Sequence, residues 1–196
     1  MTTKDSRPRG RPRRFDPEAA VATAQQLFRE RGYDAVSVAD VTEALGINPP
    51  SFYAAFGNKA GLYARVLDHW TKTNGIPLDA LLRPDRPVAE CLGAVLEEAA
   101  RRYAADAAAG GCLVLEGTRC IDEGARQAAV AYNLAAEAVI REYVAARHPD
   151  EAEHVTDFTA TTMAGLSAKA RNGHGVDQLL ATARLARLAL ERALPS

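Results

Sequence analysis

The chain reads as an all-α protein, and three features of its 196 residues say so. Apolar side chains recur at three- and four-residue spacing along most of its length, whereas the alternation of a half-buried strand is hard to find. Alanine and leucine, both strong helix formers, are abundant. The breaks between patterns carry helix-stopping glycines and helix-starting Ser, Asn or Asp. A hydrophobic content of 47% supports a buried core, enough for one sizeable domain or a small one joined to a larger.

The first helix is opened by Phe15-Asp16-Pro17-Glu18, carries Ala20, Ala24, Leu27 and Phe28 on one face, and ends at Gly32-Tyr33. The second begins at Val38. Ser37 is its N-cap, with Asp40 three positions on approximating the reciprocal half of a capping box. Val38, Val41 and Leu45 share the inner face, which directs Thr42 and Glu43 away from the core. Gly46 stops this helix because it takes the left-handed conformation without a Cβ clash. Asn48 caps the third helix, and Pro49 and Pro50 remove two amides that would otherwise lack partners, leaving Ser51 to bond the Asn48 side chain. Phe52 and Phe56, four apart, anchor inward, and Lys59 starts a further pattern through Trp70.

Two short helices on either side of Gly46, followed by a compact aromatic cluster, are the arrangement of a helix-turn-helix. Residues 38–59 therefore predict a reader of double-stranded DNA. The expected contacts are Ser37, Thr42, Asn48, Pro49, Pro50, Ser51, Tyr53, Ala54 and Lys59. Tyr53 offers a hydroxyl to phosphate, and Lys59 is placed to neutralise one. The prolines, Ser51, Ala54 and Ala55 can touch thymine methyls but make no bidentate base contact, so sequence preference should lean on shape. Charge distribution agrees. Net charge is −1, yet residues 1–72 carry +3 and the remainder −4. Six basic residues against Asp5 fall in residues 4–14, among prolines and a glycine, and predict a flexible basic arm over residues 1–14. Its Arg9, Arg11, Arg13 and Arg14 either enter an adjacent minor groove or screen phosphates, or else form a solubilising tail.

These landmarks in this order resemble the TetR family of transcriptional regulators. The Val/Leu-rich helix, Gly46-Ile47, the short helix with Phe52-Tyr53 and Phe56, then Lys59 and Leu62-Tyr63 carry the resemblance over the first third. Residues 110–118, GGCLVLEGT, and the ending from Thr161 are similar to one branch of the family's C-terminal domains. Ala54 and Ala55 stand where many members carry larger or polar side chains. The resemblance implies an N-terminal three-helix DNA-binding domain with a helix-turn-helix (residues 15–72) and a helical ligand-binding and dimerisation domain (residues 73–196). It also implies a homodimeric repressor on a palindromic operator, released by a small-molecule inducer, with the helix of residues 59–70 as connector.

Beyond residue 75 the turn-rich stretches 74–77 and 83–87 end the first unit. A helix from near Pro87 carries Val88, Leu92, Val95, Leu96 and Ala99 on one stripe and reaches Tyr103 before Gly110-Gly111. After a short apolar segment, residues 112–115, a helix over 123–147 should turn Val130, Leu134, Ala138 and Val144 inward. The last two helices, 149–172 and 176–194, offer Thr161, Gly165, Leu166 and Ala168, and Leu179, Ala183 and Leu190, for a four-helix dimer interface or for the chain's own core. An inducer pocket between the middle helices would draw on Leu92, Leu96, Tyr103, Leu113, Glu116, Tyr132 and Phe158.

Cys91, Cys112 and Cys120 are an odd set, which argues against a disulfide framework. Cys112, after two glycines at a helix start, and Cys120, beside Arg119, are candidate redox thiols or small buried hydrophobes. Glu151, His154 and Asp157 share a helical face and are read as solvated, so no metal site, cofactor or catalytic residue is assigned. No HExxH, paired CxxC, phosphate loop or GxSxG occurs. The competing readings are a cysteine-based enzyme using Cys112 with His69, His148, His154 or His174, and a helical dimerisation module without DNA. Neither explains the helix-turn-helix. No run reaches membrane-spanning length and the N-terminus has no apolar signal core, so the expected location is the cytoplasm, with no membrane partner.

Overall fold

A computed structural model describes residues 16–194. These residues form ten α-helices and no strand: α1 (Pro17–Arg31), α2 (Val38–Leu45), α3 (Pro49–Phe56), α4 (Lys59–Asn74), α5 (Leu78–Leu81), α6 (Val88–Tyr103), α7 (Leu113–Gly117), α8 (Glu123–Ala145), α9 (Ala152–Arg171) and α10 (Val176–Ala193). A 3-10 turn, Pro149–Glu151, leads into α9. The all-α expectation holds. The sequence pattern ends the connector at Trp70, but α4 runs one further turn to Asn74, and α5 forms between the two turn-rich stretches.

Two apolar cores organise the helices. The first holds Phe28, Phe52, Leu62, Tyr63 and Leu67 from α1, α3 and α4, and it takes in Leu113, Val114, Cys120, Ala125 and Ala129 from α7, α8 and their connection. The second centres on α6, whose fully buried Leu92, Val95, Leu96 and Ala99 meet Ile140, Val144, Leu166, Leu179 and Leu190. Burying each such Leu or Phe contributes about 1.5–3 kcal/mol. Leu134 departs from expectation. It is 55% exposed, because the inner face of α8 follows the four-residue row Ala125, Ala129, Ile140 and Val144 instead. Among the described residues no helix is long and apolar enough to cross a membrane.

Candidate nucleic-acid interface and effector cavity

Local caps fix the α2–α3 corner. The Asp40 amide donates to Ser37 Oγ at 3.1 Å, and the Ser37 amide donates to Asp40 Oδ2 at 2.8 Å, so both halves of the capping box are present. Arg31 approaches the same carboxylate at 3.0 Å. Hydrogen bonds from Ser37, then Arg31, hold the Asp40 carboxyl at about 2. Gly46 takes a left-handed φ of 63° and turns the chain into α3, where Asn48 Oδ1 accepts the Ser51 amide at 3.0 Å. Phe52 and Phe56 are buried below α3, and Tyr53, edge-on to Phe52, is 51% exposed. Asn48, Pro49, Pro50 and Ala54 are exposed around it, with Ser51 half-buried. Asn58 then caps α4 by accepting the Gly61 amide at 2.7 Å.

Two expected DNA contacts have other tasks. Thr42 is buried, and its hydroxyl donates to Ala39 O at 3.0 Å; the pattern of Val38, Val41 and Leu45 did not reveal that Thr42 is covered too, while Glu43 is exposed as expected. The Lys59 ammonium donates to Tyr33 O at 3.0 Å and Val36 O at 2.8 Å and lies 4.0 Å from the Tyr33 ring centroid. It ties the α1–α2 loop to the start of α4 rather than facing outward. Arg9, Arg11, Arg13, Arg14 and Phe15 lie outside the described residues.

Behind this corner, α1 and α4 are joined to the rest of the chain by long-range contacts. Arg29 is central. Its guanidinium pairs with Asp106 at 3.2 Å, donates to Ala109 O at 2.7 Å and lies over the Trp70 ring at 5.0 Å. Its own carbonyl accepts a hydrogen bond from Arg171 on α9. Tyr63 Oη donates to Leu113 O at 3.2 Å, and Gly117 lets this contact form, since a Cβ there would lie 2.6 Å from that oxygen and 2.7 Å from Ala129 Cβ. Burial raises the phenols of Tyr63 and Tyr33 far above their ordinary range, so both stay neutral.

Arg29, Asp106 and Trp70 also border a cavity of about 480 Å³ between α4, α6, α8 and α9. Ile76, Ile140, Leu115 and Met163 give it apolar walls, Tyr103 and Tyr132 aromatic ones, and Asn133 and Glu137 a polar edge. Tyr103 and Tyr132 were expected at such a pocket. Leu92 and Leu96 were also expected but are packed inside the second core with no exposure. Leu113 and Glu116 border a smaller hollow of about 270 Å³, and Phe158 is 40% exposed away from both. The sequence carried no local sign of Arg29, Asn133 or Glu137, because the cavity joins residues from seven separate helices.

Cys112 borders the larger cavity, and burial pushes its thiol up despite the backbone groups of Leu115 and Val114 that favour the thiolate. Cys120 is buried and pushed up to about 11, with Asp34 adding to the effect of burial. Of the two readings of these cysteines, burial favours the small hydrophobe over the redox thiol: desolvation outweighs the N-terminal end of the five-residue α7. In the terminal hairpin Leu166, Leu179, Ala183 and Leu190 are buried in the chain's own core, so they are not free for a partner. Thr161 and Gly165 are exposed and Ala168 half-buried. Phe158, Leu185 at 69% exposure and Leu188 at 61% form the exposed apolar surface there. Among the described residues no group of His, Cys, Asp and Glu is arranged to hold a metal, the Glu151, His154 and Asp157 face included.

Residues 20–66 match the model of bacterial regulatory proteins of the tetR family. The HTH-type transcriptional repressor BdcR of Escherichia coli K12 is 57% identical over 194 residues, 99% of this chain and 98% of BdcR. The chain belongs to the TetR family. It is a DNA-binding transcriptional regulator and not an enzyme. ComR, another HTH-type transcriptional repressor of the same organism, is 28% identical over 88% of this chain and 87% of its own length. Among solved structures, the TetR family regulator CifR, a cysteine mutant complexed with 26-bp double-strand operator DNA, superposes with a TM-score of 0.81 at 32% identity. That match covers 91% of this chain and 99% of CifR.

Proposed function

We propose that this regulator is a homodimeric repressor that occupies a two-fold operator and leaves it when a small molecule enters the cavity between α4, α6, α8 and α9. The observation that carries this reading is the course of α4. Its start is tied to the α1–α2 loop by the Lys59 bonds, and Arg65 on its first turns lies 5.4 Å from the centroid of the Phe56 ring of α3, while Trp70, Thr71 and Asn74 at its far end border the cavity. One helix thus spans both sites. A ligand that fits the cavity better in a second arrangement of α4 shifts the spacing of the two reading heads and lowers operator affinity by that differential binding. Repression is supported by the names of BdcR and ComR, and operator binding by the CifR complex.

In this reading the DNA face consists of Ser37, Asn48, Pro49, Pro50, Ser51, Tyr53 and Ala54, with the arm residues Arg9, Arg11, Arg13 and Arg14 adding charge. Lys59 supports the face from behind. The dimer face runs along Phe158, Thr161 and Gly165 of α9, spaced by three and four residues, and along Leu185 and Leu188 of α10. Desolvation, which pushes the Cys112 and Cys120 thiols up, favours a ligand over thiol oxidation as the signal. Selection of bound fragments from the source genome tests the proposal: it should return inverted half-sites about one helical turn or a multiple apart. Recovery of no common sequence, or of single half-sites bound by a monomer, contradicts it.

A further inference from the structure

The charge around the larger cavity is uncompensated at one residue. Of the four charged side chains in its wall, three already face an opposite charge of the chain: Arg29 and Asp106 pair at 3.2 Å, and Arg102 Nε meets Glu98 at 2.6 Å. The fourth is Glu137. Its Oε1 accepts the neutral Asn133 Nδ2 at 2.7 Å, and among the described residues no cation pairs with it. A carboxylate beside apolar walls without a counter-charge favours any ligand that brings one. The neighbouring surface suits the same ligand, since aromatic faces such as Tyr132 attract an ammonium and Ile140 and Met163 accept an apolar body. An anion is less favoured, because the guanidiniums of Arg29 and Arg102 are already neutralised by Asp106 and Glu98 and it would face Glu137.

We propose that the effector is a hydrophobic amine, an organic ammonium that donates to the free oxygen of Glu137 while its apolar body lies along Ile140 and Met163. The proposal rests on the reading of this cavity as the effector site, and the cavity's volume of about 480 Å³ suits a small organic molecule. Specificity for the charged end resides in Glu137, held in place by Asn133. The guanidiniums of Arg29 and Arg102 border the same cavity and repel an ammonium, which leaves Glu137 as its seat.

The chain's single tryptophan, Trp70, is in the cavity wall and only 6% exposed, so its emission reports occupancy. Full-length protein is titrated with three probes that share one apolar body: 4-phenylbutylamine, 4-phenyl-1-butanol and 4-phenylbutyrate. The amine should bind about tenfold tighter than the alcohol, with the carboxylate weakest. Glu137→Gln, which can still accept from Asn133, should bring the amine to the alcohol's affinity and leave the alcohol unchanged. Asn133→Ala, which keeps the carboxylate, should retain the order. Equal binding of all three by the wild type, or an amine preference that survives in Glu137→Gln, overturns the amine assignment and leaves the cavity as the effector site. Silence of Trp70 toward every probe up to its solubility limit overturns both.

Discussion

The reading head, α2 and α3, and the joint around Arg29 are held by opposite means. At the head, the polar contacts that set the geometry span three residues: Ser37 with Asp40, and Asn48 with Ser51. At the joint they span 50 residues from Tyr63 to Leu113, 80 from Arg29 to Ala109 and 142 from Arg171 to Arg29. The head is therefore specified by its own sequence and presents a fixed surface. The joint exists only once α6 to α9 are in place, and that is where a ligand between those helices can act.

The largest expected effect breaks the joint. Phe28 is 1% exposed and packs edge-on against Tyr63, with ring centroids 5.2 Å apart, so Phe28→Ala should cost about 3–5 kcal/mol in urea unfolding. A loss below about 1 kcal/mol would show that the joint carries little of the stability. Lys59→Met comes next. Removing a charged donor from two carbonyls should cost about 1.5–3 kcal/mol while the salt slope of operator binding stays as it is. A slope lowered by about one would return Lys59 to a phosphate.

At the head, Asn48→Ala removes a single cap and should cost about 1 kcal/mol by thermal unfolding, with operator affinity falling in parallel. Unaltered affinity would mean that DNA does not need a preformed α3. The smallest effect is one of pH. Asp40 ordinarily titrates near 3.8 and is held at about 2 by Ser37 and Arg31. A depressed carboxyl stabilises above its unfolded value and loses that as pH falls to its folded one, so the α2 cap should weaken between about pH 4 and pH 2. An NMR titration of Asp40 measures this directly, and Ser37→Ala should move the midpoint back upward.

The same contrast governs what the sequence made legible. Ser37, Asp40, Gly46 and Asn48 could be read because capping is a rule about neighbours, and the structure places each as that rule requires. Lys59 and Thr42 could not. Nothing within four residues shows that Lys59 reaches back to Tyr33 and Val36, or that Thr42 is covered while Glu43 beside it stays exposed. In the terminal hairpin the same limit left two readings open, since one apolar stripe serves a chain's own core or a partner equally well. The packing against α6 places Leu166, Leu179, Ala183 and Leu190 in the first class, leaving Leu185 and Leu188 exposed. Arg29 is the most instructive omission, since an arginine in the last turn of a helix is unremarkable until Asp106, Ala109 and Trp70 surround it.

Emission of Trp70 during titration with the selected operator fragment tests the coupling between head and cavity without any knowledge of the ligand. Trp70 lies under Arg29 in the cavity wall, on the helix that begins at Lys59. Saturating operator should shift its emission in the wild type, and Asp106→Asn, which loosens Arg29 while leaving the DNA face intact, should still bind operator but with the shift reduced. A Trp70 signal that stays constant through saturation of the wild type would contradict the account, because head and cavity would then be independent.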